Sequence, residues 1–227
     1  MARIYNIAHR GFTRDYPGNT REAFEAAMQL PIDGIECDVR ETADGRFVMF
    51  HDAEIEGREI AAMGFTEIRE IRLAGGVRMP TLEQTLVQCC DRLLLNIEIK
   101  QVSSLWQLIQ LIRSRTDASK VILTSFNRDL VFRLAQTAPD FRRGVITETE
   151  EDFIGLAKKT VTDFVVTYWQ HANSDVVSRA RATGLPVFVW GCRDMFETRG
   201  VLEMGIDGII TDFADETARE IARLAGD

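Results

Sequence analysis

Several common kinds of protein chemistry find little support in this sequence. Only four cysteines occur in 227 residues (Cys37, Cys89, Cys90 and Cys192). They show neither CxxC nor zinc-like spacing, and adjacent Cys89 and Cys90 are poorly placed to bridge each other, so all four are read as reduced and packed. No block of lysine and arginine offsets the formal net charge of −8, which argues against non-specific binding to nucleic acid or to an anionic membrane surface. No apolar run reaches the ~18 residues of a membrane span. The first residues, Met1-Ala2-Arg3-Ile4-Tyr5-Asn6, enter a strand-like run without a signal segment, so a cytoplasmic location is expected. No glycine-rich phosphate loop follows the first strand, because His9-Arg10-Gly11-Phe12 is neither a dinucleotide fingerprint nor a P-loop. Linkers and internal repeats are missing too, and residues 1–227 are expected to form a single domain. Histidine is scarce, at three residues: His9, His51 and His171.

What is present is an alternation of strand-like and helix-like runs. With 45% apolar and 27% charged residues well mixed along the chain, the composition is that of a soluble globular protein. Strands are expected at 4–8, 34–40, 92–100, 121–126, 143–147, 164–168, 187–190 and 208–211. Helices are expected near 21–30, 82–90, 105–113, 130–136, 151–158, 175–183, 196–204 and 215–224. Eight continuous apolar strands separated by amphipathic helices close most naturally into a (β/α)₈ TIM barrel, with a doubly wound open sheet as the competitor. Residues 54–79, charged and weakly periodic, read as a small insertion or lid after a second-strand hairpin.

That hairpin is the chemically richest stretch. If 34–40 and 47–52 pair around a two-residue Asp44-Gly45 turn, Asp38 faces His51, and Glu36, Asp38 and His51 share one face of the ribbon. In a barrel, the C-terminal ends of the strands meet at one mouth. There His9 and Arg10 end the first strand, while Glu98 and Lys100 share a face of the third. Three carboxylates in one low-dielectric cleft repel one another unless a cation neutralises them. An all-oxygen set suits a hard divalent cation, Mg²⁺, Ca²⁺ or Mn²⁺, better than zinc. Two histidines beside that cluster suit a general acid and a general base. Arg10 and Lys100 supply the local positive charge that an acidic protein needs to hold an anion. Trp190 ends a later strand and could pack on the organic part of a substrate.

The ordered series His9-Arg10-Gly11, Pro17-x-Asn19-Thr20, Glu36-x-Asp38, Asp44-Gly45, His51-Asp52, Pro80-Thr81-Leu82-Glu83, Glu98-Ile99-Lys100, Ser125-Phe126, Val189-Trp190 and Asp207-Gly208-Ile209-Ile210-Thr211-Asp212 resembles the glycerophosphodiester phosphodiesterase family over nearly the whole chain. The resemblance implies a barrel hydrolase that uses a divalent cation to cut a small-molecule glycerophosphodiester into sn-glycerol 3-phosphate and an alcohol. In the family the nucleophile is generally taken to be the neighbouring glycerol hydroxyl, giving a cyclic phosphate that water opens. By position, the resemblance puts the catalytic pair on His9 and His51, the metal carboxylates on Glu36, Asp38 and Glu98, and the phosphate-holding cations on Arg10 and Lys100. The chain departs from the family at Pro17-Gly18-Asn19-Thr20, where Pro-Glu-Asn-Thr is usual, and at 53–60, where an Arg-Thr-Thr sequence is common. Two other readings use the same residues: an enolase-type, metal-dependent proton abstraction, and a non-catalytic phosphodiester-binding protein on the same barrel. Whether the chain forms a homo-oligomer is left open by the sequence.

Overall fold

The structure, a computed structural model, describes residues 3–226. Eight parallel strands form the barrel: β1 (Tyr5–His9), β2 (Gly34–Glu41), β3 (Leu94–Gln101), β4 (Val121–Ser125), β5 (Arg142–Thr147), β6 (Phe164–Tyr168), β7 (Val187–Trp190) and β8 (Gly208–Thr211). Each pairs with the next. The sheet closes because β1 pairs on one side with β8, Tyr5 beside Gly208, and on the other with β2, Ile7 beside Gly34. This is the (β/α)₈ barrel, and closure excludes the open sheet. The main helices, one after each barrel strand, are α1 (Arg21–Ala27), α2 (Leu82–Cys89), α3 (Leu105–Arg113), α4 (Arg128–Thr137), α5 (Phe153–Thr160), α6 (Ser174–Ala182), α7 (Met195–Glu203) and α8 (Ala214–Ala225).

Local sequence sets these boundaries. Helices α1 to α7 each begin on a Ser, Thr, Asn or Asp whose side-chain oxygen accepts a backbone N–H of the first turn, from Thr20 before α1 to Asp194 before α7. Such caps satisfy donors that a helix leaves orphaned. The helices begin at the C-terminal ends of the strands, so the capping loops form the rim of the mouth.

Period-two alternation divides each strand between two environments. On β2 and β3, Ile35, Cys37, Val39, Ile97 and Ile99 are buried in the layer shared with the helices. The alternate residues Glu36, Asp38, Asn96 and Glu98 are buried as well, on the face that points into the barrel. Lower in the barrel, Ile7, Ile122, Ile146, Phe164, Val166, Phe188 and Ile210 fill the interior. Gly144 makes room for a ring: a Cβ there would lie 2.4 Å from Phe164.

The hairpin after β2 differs from the expected one. Val39 pairs with Met49, Arg40 with Val48 and Glu41 with Phe47, one residue out of the register that would set Asp38 opposite His51. The turn is the cause. Thr42 N donates to Arg46 O at 2.8 Å and Gly45 sits at φ 76°, the three-residue loop with a left-handed glycine rather than the two-residue turn. A one-residue slip reverses the faces. His51 therefore does not reach the mouth by alternation. Phe50 N still donates to Asp38 O (3.0 Å), the chain then leaves the ribbon, and Arg40 donates to the His51 carbonyl from Nε (3.0 Å) and Nη2 (2.7 Å).

Segment 54–79 is more ordered than its composition suggests. Glu54–Ile55 and Arg58–Glu59 form a small antiparallel ribbon turned by Glu56 and Gly57, both at positive φ. Ile60, Met63, Ile68 and Met79 pack with Val48 as a separate small core. These apolar residues are too irregularly spaced to show helical or strand periodicity. No helix among the described residues is long and apolar enough to cross a membrane.

Candidate active site

Glu36, Asp38 and Glu98 retain only 3%, 1% and 8% of their surface. One carboxylate oxygen from each lies within 4.8 Å of the others. Burial first, and then the charges of Asp38 and Glu98, push the Glu36 carboxyl well above the usual carboxylate range. Burial also raises Glu98, and Lys100 only partly offsets it. Glu36 Oε1 is buried with no hydrogen-bond partner among the described residues. A carboxylate oxygen stranded in this way, beside two more carboxylates, is a donor set that a hard cation would satisfy. The residues present therefore fit a divalent metal.

Basic side chains partly balance this charge. Arg10 Nε lies 3.2 Å from Asp38 Oδ2, and Lys100 Nζ lies 2.5 Å from Glu98 Oε1 and 3.4 Å from Asp38 Oδ1. The Arg10 backbone N–H donates to Glu36 Oε2 at 3.0 Å. Arg10 and Asn19 both sit in the left-handed region, at φ 57° and 61°, a strained conformation that the surrounding contacts must hold. Gly11, at φ +87°, turns the chain directly against α1, where a Cβ would lie 2.7 Å from the Ala23 carbonyl carbon.

Each of the two mouth histidines is tied to an aspartate through Nδ1. His9 Nδ1 lies 2.8 Å from Asp212 Oδ1, with His9 Nε2 4.0 Å from Glu36 Oε2. His51 Nδ1 lies 2.7 Å from Asp52 Oδ1. A carboxylate at Nδ1 takes the N–H of that nitrogen, which leaves Nε2 for chemistry. Burial lowers the His51 pKa below its ordinary value, with the Asp52 hydrogen bond opposing. Burial would raise Asp212, but the His9 hydrogen bond and the charges of His9 and Arg10 outweigh it, and the carboxyl ends below its usual range.

A cavity of about 560 Å³ gathers His9, Arg10, Glu36, His51, Glu98, Lys100 and Trp190. Asp38 is buried beside Glu36 and Glu98 and does not itself line the cavity. The residues proposed from sequence therefore meet at one mouth, whereas His171 falls in the Trp169–His171 turn beside Tyr168 and does not line the cavity. Trp190 packs edge-on against Phe126 and Tyr168, with centroids 5.7 and 5.2 Å away.

Sequence reasoning gave no role to three residues found here. Asn19 grips Asp38 twice: its Nδ2 donates to Asp38 Oδ2 (2.7 Å) and its Oδ1 accepts from Asp38 N (3.0 Å). Asp212 holds His9, and its place directly after β8 was the available signal. Glu148, just past β5, lines the cavity and carries no sequence signal at all. The Gly18 departure also acquires a reason. A Cβ at Gly18 would lie 2.9 Å from Arg10 Cβ, so the Arg10 side chain fills the space that a side chain at position 18 would take.

A closed (β/α)₈ barrel with a buried acidic trio and two aspartate-held imidazoles at the C-terminal ends of its strands is a barrel built for polar chemistry at its mouth. The chain belongs to the Glycerophosphoryl diester phosphodiesterase family, whose model matches residues 9–216. A protein from Caldanaerobacter subterraneus named glycerophosphodiester phosphodiesterase is 30% identical, the match covering 97% of this chain and 98% of the relative. A crystal structure of glycerophosphodiester phosphodiesterase from Agrobacterium tumefaciens is 26% identical with a TM-score of 0.85, covering 96% of this chain and 100% of that one. A phosphodiesterase from Oleispira antarctica, solved in complex with the product sn-glycerol-3-phosphate, is 19% identical with a TM-score of 0.88 over 95% of this chain and 96% of that one. At that identity the likeness concerns the fold.

Proposed function

We propose that the protein hydrolyses glycerophosphodiesters to sn-glycerol 3-phosphate and an alcohol, with a divalent cation held by Glu36, Asp38 and Glu98 and with His9 and His51 as general acid and base. The observation that carries this reading is the convergence of the acidic trio and both imidazoles on one cavity. A family shared with phosphodiester hydrolases supports it.

A hard dication held by Glu36, Asp38 and Glu98 would supply Lewis-acid charge to the phosphate. The chain's own residues do the remaining work. Arg10 and Lys100 orient the phosphate from the cavity wall, with their charge already directed to that end. His51, kept neutral by burial, takes the proton of the neighbouring glycerol hydroxyl at Nε2 as the new P–O bond forms. His9 gives its Nε2 proton to the departing alcohol oxygen as the old P–O bond breaks. Water then opens the cyclic phosphate while the two histidines exchange roles. Asp212 and Asp52 hold the rings in place.

Asp212→Asn should be more damaging than its small volume change implies, because an amide nitrogen facing His9 Nδ1 favours the tautomer with its proton on Nε2 and weakens the hold on the imidazolium. A loss in kcat on the order of 10²-fold is expected, with KM little changed. Full activity in that variant would remove Asp212 from the account.

The lowered His51 pKa fixes a sign. A base must be neutral, so the acid limb of kcat/KM should lie below the ordinary histidine value of 6.5. The same shift affects stability. Between the folded pKa and 6.5 the unfolded chain binds more protons, so stability falls as pH drops through that window. A His51→Gln variant should lose this part of the pH dependence. An acid limb above pH 6.5 would contradict the assignment of His51 as base.

The overall proposal is tested by a coupled assay for released glycerol 3-phosphate over a panel of glycerophosphodiesters with Mg²⁺, Mn²⁺ and Ca²⁺ in turn. Micromolar binding without product would favour a non-catalytic binding protein.

A further inference from the structure

The two mouth histidines are held in different ways. His9 belongs to β1 and pairs with Glu36 on β2, so the barrel itself fixes its backbone. His51 stands outside any strand. The hairpin ladder ends where Val39 meets Met49, and Phe50 N still donates to Asp38 O. The chain is next tied at Ala53, whose carbonyl accepts from Ile60 N at 2.9 Å. The ring's own partner, Asp52, is the adjacent residue and is itself exposed. That bond orients the imidazole within the loop and cannot fix the loop against the barrel.

Arg40 supplies the missing tie. It stands on β2 in the same alternation as Glu36 and Asp38, where the pairing with β3 shifts by a residue: Val39 lies beside Ile99 but Arg40 beside Gln101. Such irregularities re-aim side chains. Its Nε and Nη2 converge on one oxygen, the His51 carbonyl, at 3.0 and 2.7 Å. Burial lowers the Arg40 pKa while the charges of Asp38, Asp52 and Glu98 oppose it, yet among the described residues Arg40 forms no ion pair. A guanidinium near three carboxylates that gives two N–H groups to a neutral peptide carbonyl is placed for geometry. Hydrogen bonds from a charged donor are stronger than neutral ones, and the planar fork adds a fixed direction.

We propose that Arg40 is the positioning residue for His51, its guanidinium clamping the loop carbonyl so that the imidazole faces the substrate hydroxyl at the mouth. Arg40 does not line the cavity and acts through His51. The proposal rests on the hydrolase reading given above.

Arg40→Met keeps the stem and removes the fork. Its kcat for glycerophosphodiester hydrolysis should fall about 10- to 10²-fold, the scale on which a misplacement of ~1 Å acts. KM should stay within ~2-fold, because Arg10 and Lys100 still hold the phosphate. Arg40→Lys keeps the charge without the fork and should recover only part of the loss. A double-mutant cycle separates a clamp from a charge. In a His51→Ala background, Arg40→Met should cost less than ~2-fold further, since no ring is left to position. Full recovery in Arg40→Lys, equal losses in the two backgrounds, or a raised KM with kcat unchanged would each overturn the proposal while leaving hydrolysis established. If Arg40→Met does not fold, Arg40→Lys is carried through the same cycle. Crystal structures of the wild type and the variant give a reading without turnover. An imidazole displaced by ~1 Å or more, with Phe50 and Ala53 in place, supports the clamp, and an unmoved ring overturns it. If the wild type turns over no glycerophosphodiester with any metal, the hydrolase reading fails and that structural comparison alone decides the clamp.

Discussion

His51→Ala should retain the fold and lose turnover by a factor on the order of 10²–10⁴, the usual contribution of a positioned proton-transfer group. The structure explains why activity and stability separate at this position. The contact that anchors residue 51 is made by its backbone carbonyl, which accepts two hydrogen bonds from Arg40, and alanine keeps that carbonyl. The ring itself is 39% exposed and touches Asp52, which is more exposed still, so its removal opens no core cavity. A Tm within about 4 °C of wild type is expected. Circular dichroism melts alongside single-turnover kinetics would make the comparison. An alanine variant with near-native turnover would rule out the proton-transfer assignment. One with a collapsed Tm would instead make His51 a structural residue.

Removing the metal should have the larger effect. Exhaustive EDTA dialysis is expected to lower kcat/KM on the order of 10³-fold or more, because several kcal/mol of transition-state charge stabilisation leave with the ion. Readdition of Mg²⁺, Mn²⁺ or Ca²⁺ should restore activity. Activity that survives dialysis would count against a trio built to hold a cation. Glu36→Gln provides a sharper control. The folded-state pKa of Glu36 is raised above 4.5 by burial and by Asp38 and Glu98, so at neutral pH its ionised form destabilises the metal-free fold. Replacing it with a neutral amide relieves that penalty. The metal-free variant should melt above metal-free wild type while losing the stabilisation that added metal gives. A carboxylate serving only a structural ion-pair network would give the opposite result, a lower Tm on substitution.

Most of the architecture was legible because barrel strands and helices carry strong periodic signals. The expected strands at 164–168, 187–190 and 208–211 match β6, β7 and β8 residue for residue, and the helix at 105–113 matches α3. Capping residues explain much of this, since Thr81 before α2 marks a boundary by a local hydrogen bond that sequence can express. The hairpin departs from the expected register for a physical reason. Asp44-Gly45 suits both a two-residue turn and the end of a three-residue one, and the choice depends on tertiary contacts such as Phe65 N donating to Asp44 Oδ1 at 3.0 Å. His51 does line the mouth, but the chain brings it there by leaving the ribbon and not by strand alternation. Asp212 and Asn19 were hidden because their roles exist only once distant segments meet, 203 residues apart for Asp212 and His9 and 19 for Asn19 and Asp38. The small core around Ile60, Met63 and Ile68 was invisible because irregular loops have no period.

Crystals grown with Mn²⁺ and measured at the manganese absorption edge would test the account most directly. It predicts one anomalous peak within coordination distance, about 2.1–2.6 Å, of carboxylate oxygens from all three of Glu36, Asp38 and Glu98. A well-ordered site with no peak there, or a peak held by other residues, would contradict it.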